Sequence, residues 1–146
     1  MTDKVQIGID LLKAGSEAAL GTIEESVPFV SAVSYVYETS KDGLGSMMIL
    51  ISDLARHTQN LQKNPNVSLL VNEPGTAPIY ERKRVSVQGT AAAVKDPEIF
   101  SRLKARYIKA FPSSEGFFNF KDFRFYEILI SGMDLISGFG KIETVR

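Results

Sequence analysis

The feature that most constrains the fold is a series of β-type segments joined by short connections. Residues 27–37 are rich in β-branched and aromatic side chains, and the polar turn Lys41-Asp42-Gly43 leads into a second apolar segment at residues 46–52. Parallel strands need a crossover of about a dozen residues or more, so this shorter connection predicts an antiparallel hairpin. Residues 66–73 and 84–94 have β-type composition and predict two more strands.

The remaining predicted elements complete a mainly β fold with flanking helices. Two strands are predicted at residues 125–130 and 133–139, hinged at Ser131-Gly132. Helices are predicted at residues 5–23, between the capping Ser52 or Asp53 and Pro65, and between Asp96 and Pro112. Six strands with short antiparallel connections predict a six-stranded antiparallel β-barrel, closed or nearly so, in one domain over residues 1–146.

Composition excludes several classes of function. Lys plus Arg and Asp plus Glu both total 17, so bulk charge favours neither nucleic acid nor a membrane as a partner. Cysteine is absent, which excludes disulfides and thiol catalysis, and the single histidine, His57, excludes a multi-histidine metal site within one chain. No secretory signal is visible and the apolar run at residues 47–51 is too short to cross a bilayer, so we expect a cytoplasmic protein.

The start of the second predicted helix is the strongest candidate for a ligand site. It carries Ser52, Arg56, His57 and Thr58 directly after an apolar strand. Free backbone N–H groups and the helix dipole attract anions there, and a guanidinium can bind phosphate through two hydrogen bonds. We therefore expect a phosphate-bearing ligand. The alternative is that Ser52 and Asp53 only cap the helix and that Arg56 and His57 form a solvated face.

Two further clusters each have a structural and a functional interpretation. Arg82-Lys83-Arg84 enters a predicted strand, where cations guard an exposed edge or bind an anion that a partner presents. The aromatic residues between 117 and 126 stack on a planar ligand or pack in a core or dimer seam, and packing is the commoner role. Paired carboxylates and a nucleophile elbow are absent from the sequence, so any catalysis would depend on a cofactor.

Part of the sequence resembles a known family. Residues 52–61, SDLARHTQNL, and residues 64–71, NPNVSLLV, resemble the strand–helix–strand signature of the pyridoxamine 5′-phosphate oxidase-like, FMN-binding split-barrel superfamily, nearest to its haem-utilisation branch. Residues 28–31 with Tyr35, residues 84–89 and residues 138–141 are similar to segments of that branch. The resemblance covers the chain from residue 14 onward.

The resemblance implies a split barrel that works as a homodimer, with FMN in clefts between the subunits. Arg56 and His57 would lie near the flavin phosphate, and Arg84 would reach the flavin from the other subunit. The protein would then be an FMN-dependent oxidoreductase acting on an unidentified small-molecule substrate. The cofactor-binding residues that the resemblance implies are Ser31, Tyr35, Ser52, Arg56, His57, Thr58 and Arg84.

Departures from the family pattern argue against oxidation of pyridoxamine phosphate. Neutral residues such as Ser31 and Tyr35 replace the phosphate-binding cations that the true oxidase has on the strand matching residues 30–36. Residues 142–146 also lack the Arg and His pair that holds the true oxidase's substrate. The alternative is a module that has lost FMN and binds haem or a related tetrapyrrole without redox activity, with His57 as the iron ligand.

Overall fold

The computed structural model describes residues 3–137 and 141–146. Short 3₁₀ segments occur at Ile79–Glu81 and Pro112–Asn119. The helices and strands are α1 (Asp3–Ala14), β1 (Glu17–Glu24), β2 (Val27–Glu38), β3 (Ser46–Ser52), α2 (Arg56–Lys63), β4 (Asn66–Asn72), β5 (Arg84–Ala93), α3 (Pro97–Ala110), β6 (Phe123–Ile136) and β7 (Ile142–Val145).

Strands β1 to β6 close into an antiparallel barrel. They are hydrogen-bonded in the order β3–β2–β1–β4–β5–β6, and β3 also pairs with β6, which closes the sheet on itself. This pairing runs from Ser46 opposite Leu129 to Ser52 opposite Phe123. Strand β7 lies outside the ring and pairs with the last part of β6. The predicted six-stranded barrel with flanking helices is confirmed.

The first predicted helix is wrong in its second half. Helix α1 ends at Ala14, and Glu17–Glu24 forms β1 instead. Ala18, Leu20 and Thr22 are buried in alternation with more exposed neighbours, which is the periodicity of a strand. Pairing with β2 and β4 satisfies the backbone groups of this segment.

The two strands predicted at residues 125–130 and 133–139 form a single strand, β6. The β5–β6 register shifts between residues 88 and 89, which leaves Ser131 without an opposite residue. The predicted hinge is therefore a β-bulge, and pairing continues on both sides of it. Residues 138–140, which include the end of the second predicted strand, lie outside the described residues.

A two-residue turn joins β1 to β2. Its residues, Glu25 and Ser26, have φ angles of 48° and 68°, as a type I′ hairpin turn requires. Glycine and asparagine usually occupy such positions, so each of these side chains costs about 1 kcal/mol or more in backbone strain. The pairing of β1 with β2 holds this turn in place.

Two apolar clusters stabilise the barrel. The first fills its interior, and the second lies between its outer surface and α3. In the second cluster the rings of Phe118 and Phe125 are 5.8 Å apart between centroids, and the nearby Phe117 ring stacks on Phe123 at 4.9 Å. The packing role is confirmed for Phe118, Phe123 and Phe125, whereas Phe117 is 44% exposed.

The N-terminus of helix α3 is capped by the residue that the sequence predicts. Asp96 caps it, because the Asp96 Oδ1 atom accepts hydrogen bonds from the N–H groups of Glu98 at 2.8 Å and Ile99 at 3.4 Å. Further along, Arg102 and Arg106 both donate to Glu38 at the end of β2. Burial alone would raise the pKa of Glu38, but these two arginines outweigh it and lower that pKa.

None of the helices among residues 3–137 and 141–146 combines the length and the apolar character needed to span a membrane. The cytoplasmic location expected from the sequence stays a prediction.

We expect Leu103→Ala to lower the free energy of unfolding by about 2–5 kcal/mol, because Leu103 is fully buried between α3 and the barrel. Urea denaturation measures this change. Lys109→Ala, at an exposed position of the same helix, is the matched control and should change the free energy by less than about 0.5 kcal/mol. Equal effects of the two substitutions would contradict the role assigned to the second cluster.

Candidate functional site

Helix α2 follows β3 closely and packs against β1 and β2. Its N-cap is Ala55, and none of the described side chains caps it. The prediction that Ser52 or Asp53 caps this helix is therefore wrong. The Ser52 Oγ atom does accept a backbone N–H, that of Leu54 at 3.1 Å, but in the turn before the helix begins. It also donates to Asp122 Oδ2 at 2.6 Å, which fixes the turn between β3 and α2.

His57 contacts Ser31 across the interface between α2 and β2. The His57 Nδ1 atom lies 2.8 Å from Ser31 Oγ. The ring is half-buried, and burial lowers the pKa of His57 below its ordinary value of 6.5, so the imidazole is neutral at pH 7. When Nδ1–H donates to Ser31, Nε2 keeps its lone pair, and none of residues 3–137 and 141–146 hydrogen-bonds to it.

Arg56 is paired with a carboxylate. Its Nε donates to Glu24 Oε1 at 2.9 Å and its Nη2 donates to Glu24 Oε2, so the contact is bidentate. The guanidinium carbon lies 4.5 Å from the centroid of the Phe29 ring. The Arg56 hydrogen bond lowers the pKa of Glu24, and Glu24 raises the pKa of Arg56. Because these charges cancel and His57 is neutral, this end of α2 is less cationic than the sequence predicts.

A layer of buried polar side chains lies beneath α2. Asn60 Nδ2 donates to Thr22 Oγ1 at 3.1 Å, which joins the helix to β1. Thr58 is fully buried, and its Oγ1 has no hydrogen-bond partner among the described residues. Thr58 therefore lies on the inner side of the helix, away from the surface that carries Arg56.

Tyr35 lies within the barrel. Its hydroxyl donates to the carbonyl oxygen of Leu12 at 2.7 Å, and burial raises the pKa of Tyr35. The contact joins β2 to α1. The structure does not bring Tyr35 together with Arg56 and His57.

Two arginines near the start of β5 have positive charge without a paired carboxylate. The Nε atoms of Arg82 and Arg84 are buried and have no hydrogen-bond partner among the described residues. Arg82 Nη1 donates to the carbonyl oxygen of Glu73 at 3.3 Å. In the described part of the chain neither arginine forms an ion pair. These side chains can therefore accept an anionic group from a ligand or from a partner.

An open cleft of about 560 Å³ crosses β1, β2 and β4, a size that suits a cofactor. Small apolar side chains line much of it, and its charged residues are Arg82, Glu17 and Glu73, one cation and two carboxylates. Neighbouring side chains on a strand point to opposite faces, so the Ser31 side chain that contacts His57 points away from the face of β2 that carries Val30 and Ala32. His57 is not among the residues that line the cleft. Residues that characterise this lining are Ala19, Val30, Ser31, Ala32, Leu70 and Arg82.

The predicted site residues separate into two groups. The structure brings three of them together where α2 meets the β1–β2 hairpin: Ser31, Arg56 and His57. Of the others, Tyr35 and Thr58 are buried. Ser52 lies in the turn after β3, and Arg84 lies at the start of β5. Sequence reasoning missed the contacts of Glu24 and Phe29 with Arg56. The alternation at residues 18–22 is the signal for β1, the strand that carries Glu24.

We expect the free energy of unfolding to decrease as pH is lowered through the range where His57 titrates. Burial holds the folded-state pKa of His57 below the unfolded value of about 6.5, so its contribution is fully present above that value and is lost as pH falls toward the folded pKa. The melting temperature should therefore drop between pH 7.0 and 5.5, and the drop should be smaller in His57→Gln. Because His57 is the single histidine, proton NMR gives its pKa directly, and a value at or above 6.5 would contradict this interpretation.

Similar proteins include haem-related and flavin-related ones. The haem oxygenase HutZ of Vibrio cholerae is 30% identical over 101 residues, which are 66% of this chain and 57% of HutZ, so this chain matches less than two thirds of that relative's length. A haem-binding protein from Mycobacterium smegmatis superposes with a TM-score of 0.87 at 19% identity, covering 99% of this chain and 58% of that one. A FAD-binding protein from Mesorhizobium loti superposes with a TM-score of 0.70 at 17% identity, covering 91% of this chain and 92% of that one.

The two structural matches show the fold alone, and they agree with the split-barrel resemblance found in the sequence, which is confirmed. The model of one family covers all of residues 1–146. On that match, the chain belongs to the CREG β-barrel family.

Proposed function

We propose that the protein binds haem and that His57 is the iron ligand. The observation that carries this proposal is the contact between His57 Nδ1 and Ser31 Oγ, 2.8 Å long. Metal-binding histidines usually donate their second ring N–H to a fixed acceptor, which orients the ring and leaves the other nitrogen as the ligand. The lowered pKa of His57 supports this role, since only neutral imidazole binds a metal.

The cleft across β1, β2 and β4 is a separate surface with room for a planar ring. Ala19, Val30 and Leu70 offer an apolar surface there, and the charged lining residues are Arg82, Glu17 and Glu73. Bound haem would supply a redox-active iron, whose properties depend on its axial ligand and its surroundings. The similarity to HutZ, named a haem oxygenase, supports haem as the ligand class.

The proposal includes a second copy of this chain. Val30 is 66% exposed on β2, and Leu70 is 38% exposed on β4, which lies on the other side of β1. Both side chains line the cleft across β1, β2 and β4. Exposed apolar side chains grouped beside an open cleft are typical of a protein interface. A second copy would cover this surface and close the cleft over a bound ring.

FMN is the second candidate, in which the protein is an FMN-dependent oxidoreductase. The unpartnered Nε atoms of Arg82 and Arg84 favour it, because two cations on one surface can hold a phosphate. The flavin would supply the redox chemistry, while these residues would bind and orient it. The fold shared with a FAD-binding protein supports this candidate.

We expect His57→Ala to weaken ferric haem binding by about tenfold or more and to change the Soret spectrum, because the iron ligand is lost. Titration of the purified protein with haemin, followed by absorbance, measures both. Gln59→Ala, at an exposed position on the same helix, is the matched control and should match the wild type. Equal affinity and an identical Soret band in wild type and His57→Ala would overturn the assignment of His57.

We expect the wild type to sediment as a dimer at micromolar concentration and Val30→Asp to sediment as a monomer, since a charge would be buried in the interface. Ile99→Asp, at an exposed apolar position on α3, is the control and should remain dimeric. A monomeric wild type would contradict the homodimer and leave Arg84 no second subunit to reach.

A further inference from the structure

The contact between Glu24 and Arg56 occupies the group that a phosphate would use. Both Glu24 oxygens accept from Arg56, one from Nε and one from Nη2, which is the two-point geometry with which a guanidinium binds phosphate. Arg56 also lies over the Phe29 ring at 4.5 Å. Glu24 thus takes the same donors that an incoming phosphate needs, and a phosphate must displace it.

The backbone holds Glu24 in this position. Glu24 pairs with Val27 at the end of the β1–β2 ladder, directly beside the turn in which Glu25 and Ser26 adopt positive φ angles. A two-residue turn leaves the end of β1 little freedom to move away from α2. The carboxylate is therefore supplied by an ordered strand end.

The charges around this contact sum to zero. A polar cleft of about 800 Å³ between the hairpin and α2 is lined by Glu24, Glu25, Arg56 and Lys63, two carboxylates and two cations. The neighbouring His57 is neutral. Because Glu24 already neutralises Arg56, a phosphate dianion that entered here would gain little attraction from the guanidinium. It would also be repelled by at least one carboxylate at close range.

We propose that Glu24 is a specificity-determining residue that makes this end of α2 reject phosphate-bearing cofactors. The inference rests on the proposed function, because it concerns which cofactor the same region accepts. The selection acts by competition, since Glu24 satisfies Arg56 within the chain.

Titration with FMN and with riboflavin, which lacks the phosphate, tests the proposal. Glu24→Gln keeps the shape of the side chain and removes its charge, so we expect FMN to bind about tenfold more tightly than to the wild type and riboflavin to bind unchanged. The gain should shrink in 0.5 M salt, because the contact is exposed to solvent. Flavin fluorescence measures both affinities.

Glu25→Gln is the matched control, because it removes the same charge one residue away from a side chain with no ion pair among the described residues. It should raise FMN affinity much less than Glu24→Gln does, because Glu25 lines the same cleft but does not bind Arg56. Glu24→Gln combined with Arg56→Ala should lose the gain. The proposal is overturned if Glu24→Gln and Glu25→Gln bind FMN alike, if riboflavin gains as much as FMN, or if the gain survives loss of Arg56. Haem titration of the wild type is a separate readout, so its failure would remove the proposed function and leave this result standing.

Discussion

The pairing of β3 with β6 is the interaction on which the rest of the structure depends. It joins two strands 71 residues apart at Ser52 and Phe123 and turns an open sheet into a barrel. Residues 46–51 are buried throughout, because one face of β3 lines the interior and the other packs beneath α3. Since α2 follows β3 closely, barrel closure also determines where α2 lies and brings His57 to Ser31 on β2.

Elements with strong local signals could be predicted from the sequence. The apolar segment of β3, the hairpin that leads into it and the Asp96 cap each depend on residues close together in the chain. Strand β1 could not be recognised in the same way, because Ala18, Ala19 and Leu20 are good helix formers. Their strand conformation comes from pairing with β2, which follows after the two-residue turn, and with β4, which is distant in sequence. This pairing overrides the local helix propensity.

The candidate site shows the same division between local and long-range information. The sequence identified Arg56 and His57 as polar residues at a helix start, which is a local property. It did not identify Glu24, because the Glu24–Arg56 contact spans 32 residues and needs β1 to be a strand. Tyr35 illustrates the converse case: a tyrosine suggested by resemblance lies in the core, where alternation along β2 turns its side chain inward.

Cofactor selection in this fold must depend on side chains and not on the barrel, because haem-binding and FAD-binding proteins both superpose on this chain. The deciding property is where positive charge remains unpaired once the chain has folded. Arg56 is balanced within the chain, whereas Arg82 and Arg84 are not balanced by any described carboxylate. Under the proposed function, an anionic group of a ligand would therefore bind near the start of β5, and the neutral imidazole of His57 would serve where a lone pair is needed instead of a charge.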